Sequence, residues 1–182
     1  MRRITSCLFC GLVSVCFAAA IQAQDAGTSV ASADKTFVMK AAQGGLAEVK
    51  LGKLAGEKAS RPDVKDFGNM MVEDHTKANE QLKSVASQKS LTVPDDVGAK
   101  HQALYDRLSK LSGPEFDRAY IKAMVKDHKE DVGDFQKESG SGKDPDIKNF
   151  AAQTLPVLQK HLTAIQQIQK TGGTDAGKMS GQ

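Results

Sequence analysis

From residue 34 to residue 170 apolar side chains recur three and four positions apart, and the alternation of a half-buried strand is almost absent. That periodicity predicts an all-α fold. Helix starts are marked by Ser60-Arg61-Pro62-Asp63 and Ser112-Gly113-Pro114-Glu115, each a capping Ser, a first-turn proline and an acid three places on; Asp144-Pro145 marks a third. The pattern predicts four long helices over residues 34–59, 61–89, 113–138 and 145–170, with a shorter one over 97–111 between the second and the third. The links inside the first and last pairs are short, so each pair is antiparallel. The stretch from Ser90 to Ser112 can run the length of a bundle, which makes the second and third long helices parallel. Two hairpins joined by one long crossover are the ferritin-like form of the four-helix bundle.

At about 100° per residue each long helix shows one apolar stripe, and each stripe is interrupted by one ionisable residue. His75 stands among Val64, Phe67, Gly68, Met71, Leu82 and Val85; His128 among Tyr120, Ile121, Met124, Val132 and Phe135. His161 stands among Ile147, Phe150, Val157, Leu158, Ile165 and Ile168, and Glu48 among Phe37, Val38, Ala41, Gly45, Val49, Gly52 and Ala55. The sequence Met-Val-x-Asp-His occurs twice, at 71–75 and 124–128, because Phe67/Met71/His75 and Tyr120/Met124/His128 are the same inward stripe on two parallel helices. Asp74 and Asp127 are rotated to the edge of their faces, either to orient an imidazole of a neighbouring helix or to meet solvent. Counted from the helix starts, the four ionisable heads fall within about five residues along the bundle, roughly 7–8 Å at the helical rise.

Three imidazoles and a carboxylate are suitable ligands for one divalent transition metal, zinc, iron or copper, and bundle interiors are a usual place to build such a site. The alternative is a buried polar network in which Glu48 offsets a protonated histidine, since buried charge is tolerated only when paired. Met71 and Met124 are read as core filler rather than soft copper ligands, and His101, on the short connecting helix, as a boundary residue. Gly44, Gly45, Gly52 and Gly56 each cost about 1 kcal/mol relative to Ala in a helix, which points to close helix approach in preference to room for a cofactor. Pro156 falls on the outer face of the last helix.

The ends change the picture of where the chain works. Arg2 and Arg3 precede an apolar run from Leu8 to Ile21 that closes at Ala23, a secretory signal peptide over residues 1–23 cut after Ala23, which implies a periplasmic or secreted product. No later run is long enough for a membrane span. All three cysteines, Cys7, Cys10 and Cys16, lie in that peptide, which removes thiolate chemistry and disulfides from the mature chain. Without Arg2 and Arg3 the 25 basic residues become 23 against 22 acidic ones, a net charge of +1. With no Trp and no basic block, nothing points to nucleic acid. Residues 24–33 and 171–182 are small, polar and Gly-rich, and read as flexible tails around one bundle domain over residues 34–170.

The segments "FVMKAAQGGLAEVKLGKLA", "VKDFGNMMVEDH", "FDRAYIKAMVKDH" and "LPVLQKHL" together resemble the exported bacterial family known as domain of unknown function 4142, over residues 35–168. The resemblance implies a ferritin-like helical fold with no established activity. Some members carry an outer-membrane label, for which this sequence offers no alternating strands. Di-iron proteins of similar helix arrangement pair Glu-x-x-His on two helices, whereas Val72, Val125 and Leu158 stand three places before His75, His128 and His161. The expectation is therefore an exported, non-enzymatic bundle of the cell envelope that binds a metal or serves a stress role. The alternatives are a mononuclear metalloenzyme of redox or protective type on Glu48, His75, His128 and His161, and an envelope protein-interaction module.

Overall fold

In the computed structural model the chain is described from residue 29 to residue 178, with side chains to residue 172. The expected signal peptide, the beginning of the expected N-terminal tail and the last four residues lie outside the described residues. Five helices follow in order, α1 (Ser32–Lys58), α2 (Pro62–Gln88), α3 (Gly98–Ser109), α4 (Gly113–Ser141) and α5 (Pro145–Lys178). Among the described residues there is no strand. α1 pairs with α2 and α4 with α5 as antiparallel hairpins; α2 then lies on α5 and α1 on α4, and α3 rests against α1 and α4.

Contacts at the two ends set the directions. At one end Ser60 and Arg61, before α2, bond to Asp117 near the start of α4, so α2 and α4 begin together and run parallel, as the long crossover requires. Arg61 also reaches the Ile168 carbonyl and the Thr171 hydroxyl near the end of α5. At the other end Lys89 after α2 pairs with Asp144 and Asp146 at the start of α5, at 3.1 and 2.6 Å.

The start signals stand where helices begin, but their partners differ. Ser60 does not cap α2, whose N-cap is Arg61 without a side-chain bond; instead Ser60 donates its hydroxyl and its backbone N–H to Asp117. Ser112 is the N-cap of α4 but also makes no capping bond. Asp144 does cap its helix, accepting from the N–H groups of Asp146 and Ile147. α5 runs to Lys178, past the expected end at residue 170, and Arg61 bonds it at Ile168 and Thr171, about two turns before that end. Val157, expected inward, is 36% exposed, because the stripe of α5 passes through Ala151, Thr154, Leu158, His161 and Ile165, and Val157 sits a hundred degrees from Leu158.

The apolar core is divided. One cluster gathers Leu51, Leu54, Val64, Phe67, Met71, Phe116, Tyr120, Met124 and Ile165 toward the Ser60 end; the other gathers Phe37, Val38, Leu82, Phe135, Ile147, Phe150 and Leu158 toward the Asp144 end. On every long helix the residue between the two clusters is the ionisable one singled out from the pattern: Glu48, His75, His128 and His161.

Candidate metal centre

His75 from α2, His128 from α4 and His161 from α5 meet at this middle layer. Their ring centroids are 6.1 Å (His75–His128), 5.4 Å (His75–His161) and 5.5 Å (His128–His161) apart. One nitrogen from each ring comes within 4.8 Å of the other two. His128 and His161 are fully buried and His75 nearly so. The Phe67 ring closes one side, 5.8 Å from His128 and 6.4 Å from His161 by centroid.

What each ring does with its other nitrogen decides what it offers inward. His161 Nε2 lies 2.9 Å from Asp74 Oδ2, so the ring N–H donates to the carboxylate and Nδ1 keeps a bare lone pair. His128 Nδ1 donates to the Met124 carbonyl at 3.0 Å, which leaves the lone pair on Nε2. Those two bare nitrogens, together with His75 Nε2, are buried with no hydrogen-bond partner. A carboxylate or carbonyl behind an imidazole is the usual device that fixes tautomer and ring orientation in a metal-binding histidine.

Electrostatics keep the three rings neutral. Burial, reinforced by the neighbouring imidazoles, pushes His75 well below the usual histidine range. Burial also lowers His128, to about 4, and lowers His161 despite the opposing pull of Asp74. Neutral imidazole is the form that binds a metal ion.

Glu48 is wholly buried in the same layer but stands elsewhere. Its Oε1 is 3.8 Å from His128 Nδ1, the nitrogen that faces away from the triad. Its close group is instead Asp127 and Asp131 of α4, with one oxygen from each of the three carboxyls within 4.8 Å of the others. Burial first, then the charge of Asp127, raises Glu48 well above the ordinary carboxyl range, and Asp131 is raised for the same two reasons. The four residues expected in one set are thus divided into an imidazole triad and a carboxyl group placed behind His128.

The Asp of each Asp-His pair turns toward an imidazole of another helix: Asp74 to His161, and Asp127 to His101 of α3, whose Nε2 is 3.9 Å from Asp127 Oδ1. His101 donates Nδ1–H to the Val97 carbonyl at 2.8 Å and is not part of the triad. Asp131 was missed from sequence, although its spacing one helical turn after Asp127 was a usable signal.

Fold and centre together define a ferritin-like four-helix bundle with a buried imidazole triad where di-iron proteins carry paired Glu-x-x-His motifs. The chain belongs to the family described as Domain of unknown function (DUF4142), whose pattern matches residues 19–168. Among solved structures it is similar to a DUF305 fragment from Deinococcus radiodurans, with a TM-score of 0.67 and 13% identity over 76% of this chain and 96% of that one. It is likewise similar to a DUF305 protein from Streptomyces coelicolor, described as a candidate secreted protein, with a TM-score of 0.66 and 12% identity over 78% of this chain and 92% of that one. At such identity the likeness is one of fold. No curated protein matches the chain. No described helix is long and apolar enough to cross a membrane.

Proposed function

We propose that this protein is an exported metal-binding bundle of the cell envelope, holding one divalent transition-metal ion on His75, His128 and His161, with Glu48 behind His128. The observation that carries the reading is the trio of buried, unpartnered ring nitrogens from three helices, two of them held from behind by Asp74 and the Met124 carbonyl. A polar network built only for structure would be expected to satisfy those nitrogens, because an unmet buried acceptor costs about 1–3 kcal/mol. Imidazole nitrogens suit zinc, copper or iron. Metal–nitrogen bonds of about 2.0–2.1 Å require the rings to draw together by under about an ångström each. Export is supported by the Arg2-Arg3 start, the apolar run to Ile21 and the small residue at Ala23.

The test is metal analysis of the mature protein purified without a histidine tag, with zinc, copper and iron titrated separately. One equivalent retained by the wild type and lost in His75→Ala and His128→Ala is expected. A folded wild type that retains none and shows no affinity below the micromolar range would return the triad to a structural role.

One observation favours a second reading. A cavity of about 20 Å³, room for about one water-sized ligand, borders His75, Asp131 and Thr154, and a three-ligand centre leaves a coordination position open. With a redox-active ion the bundle would be a mononuclear metalloenzyme of protective type. Peroxide consumption by iron- or copper-loaded protein, abolished in His75→Ala, would establish it; a centre that accepts zinc alone would end it.

A further inference from the structure

We propose a second cation site, separate from the imidazole triad, in which Glu48 of α1 and Asp127 and Asp131 of α4 form an all-oxygen pocket for a hard divalent cation such as calcium, magnesium or manganese. The two ligand sets share no residue, so the second site does not depend on a metal at the first.

Geometry brings the three carboxyls together across one helix interface. Asp127 and Asp131 are one turn apart on α4 and Glu48 faces them across the helix interface, so one oxygen from each lies within 4.8 Å of the others. Among the described residues no lysine or arginine pairs with any of the three. Lys100 and Lys126 are engaged with Glu130, at 2.8 and 3.7 Å, while His128 stays 3.8 Å from Glu48 and His101 3.9 Å from Asp127.

A second observation points to a ligand. Glu48 is 0% exposed and neither of its oxygens has a hydrogen-bond partner; Asp127, 7% exposed, leaves Oδ2 without one. Once ionised, the carboxyls whose three unmet oxygens lie out of reach of solvent form an acceptor-only pocket, and the ligand that answers acceptors alone is a cation of the kind that takes oxygen donors. The pocket is also reachable. Asp127 forms part of the wall of an open groove of about 250 Å³ between α3 and α4, and Asp131, half-buried, borders the small cavity beside His75.

Terbium(III), a hard oxygen-seeking probe, tests this directly, because the chain has two tyrosines and no tryptophan to sensitise its emission. Tyr120 lies two turns before Asp127 on the same helix. In the full mature protein, tyrosine-excited terbium emission is expected to saturate near one equivalent, to be displaced by calcium, and to weaken at least tenfold in Glu48→Gln and Asp131→Asn. Asp131→Asn is at a half-buried position, and circular dichroism is the control that each variant is folded. Emission equal in wild type and both variants, or no saturable emission in the wild type, would overturn the proposal and leave the carboxyls sharing protons. A folded protein that takes up zinc, copper or iron but no terbium overturns this site alone; one that takes up terbium but none of those three overturns the triad alone.

Discussion

His75, His128 and His161 owe their neutrality to burial, and the same burial makes the fold sensitive to acid. In the unfolded chain each imidazole takes up a proton near 6.5, whereas folded His128 resists until about 4. Stability from these groups is therefore complete above about pH 6.5 and is lost as the pH falls toward 4, at about 1.4 kcal/mol per pH unit for each ring that only the unfolded chain protonates. Glu48 has the opposite sign: raised well above its ordinary 4.5, it contributes stability below that value and loses it as the pH rises. Metal-free Glu48→Gln should consequently gain on the wild type as pH increases above about 4.5, read as urea midpoints from pH 4.5 to 8. A constant difference across that range would show that Glu48 is ionised in the folded protein. Asp74 acts through His161, so Asp74→Asn should keep the fold and weaken transition-metal affinity by about 10–100-fold, measured by competition with a chromophoric chelator. At this scale the sequence was readable in part. The angular position of each histidine on its helix could be counted, but not which nitrogen Asp74 or the Met124 carbonyl would occupy, because that depends on the rotation of one helix against another.

The α1–α2 hairpin explains two of the glycines in the first helix. A Cβ on Gly52 would lie 2.5 Å from the Gly68 carbonyl oxygen, and one on Gly68 would lie 2.7 Å from the Gly52 carbonyl oxygen and 2.8 Å from the Ala55 Cβ. The two backbones touch there, which is the close approach the sequence suggested and which leaves no room for a cofactor. A Cβ on Gly45 would collide with the Asn79 side chain, while Gly56 has open space around it. Gly52→Ala or Gly68→Ala should destabilise by about 1–3 kcal/mol through forced separation of the helices, whereas Gly56→Ala should stabilise by up to about 1 kcal/mol. Thermal midpoints of the three variants check this, and a stabilising Gly68→Ala would contradict the contact. Pro156 is exposed, as expected, five residues before His161. The crossover helix α3 is held to α1 by Lys50, which bonds Gln102 at 2.8 Å and stands over the Tyr105 ring, and to α4 by Lys100–Glu130.

Across the whole molecule each hairpin turn is tied by a buried aspartate from the other hairpin. Asp117 of α4 accepts from the Ser60 and Arg61 N–H groups at the α1–α2 turn, and Asp34 of α1 accepts from the Lys143 and Asp144 N–H groups at the α4–α5 turn. The two ties stand at opposite ends of a bundle whose helices run about 40 Å at the helical rise. Asp34→Ala and Asp117→Ala should each cost about 1–3 kcal/mol by stranding backbone donors. The double variant should lose close to the sum, within about 0.5 kcal/mol, because sites so distant do not couple. Urea unfolding of the three variants decides it. A large departure from additivity would mean that the two hairpins cooperate through the polar layer between the split cores.

The four long helices, the crossover and its short helix, and the inward place of His75, His128, His161 and Glu48 were legible in the chain because hydrophobic period and start signals are local. Asp34 and Asp117 also lay on apolar stripes, three residues before Phe37 and Tyr120, yet their partners are backbone groups 56 to 110 residues away and no local pattern names them. Only the packed structure decided that three imidazoles share one centre while Glu48 turns to Asp127 and Asp131. The reason is physical: periodicity gives the angle of a side chain about its own axis, whereas membership of a site depends on the separation and relative rotation of several axes, set by contacts such as Gly52 against Gly68.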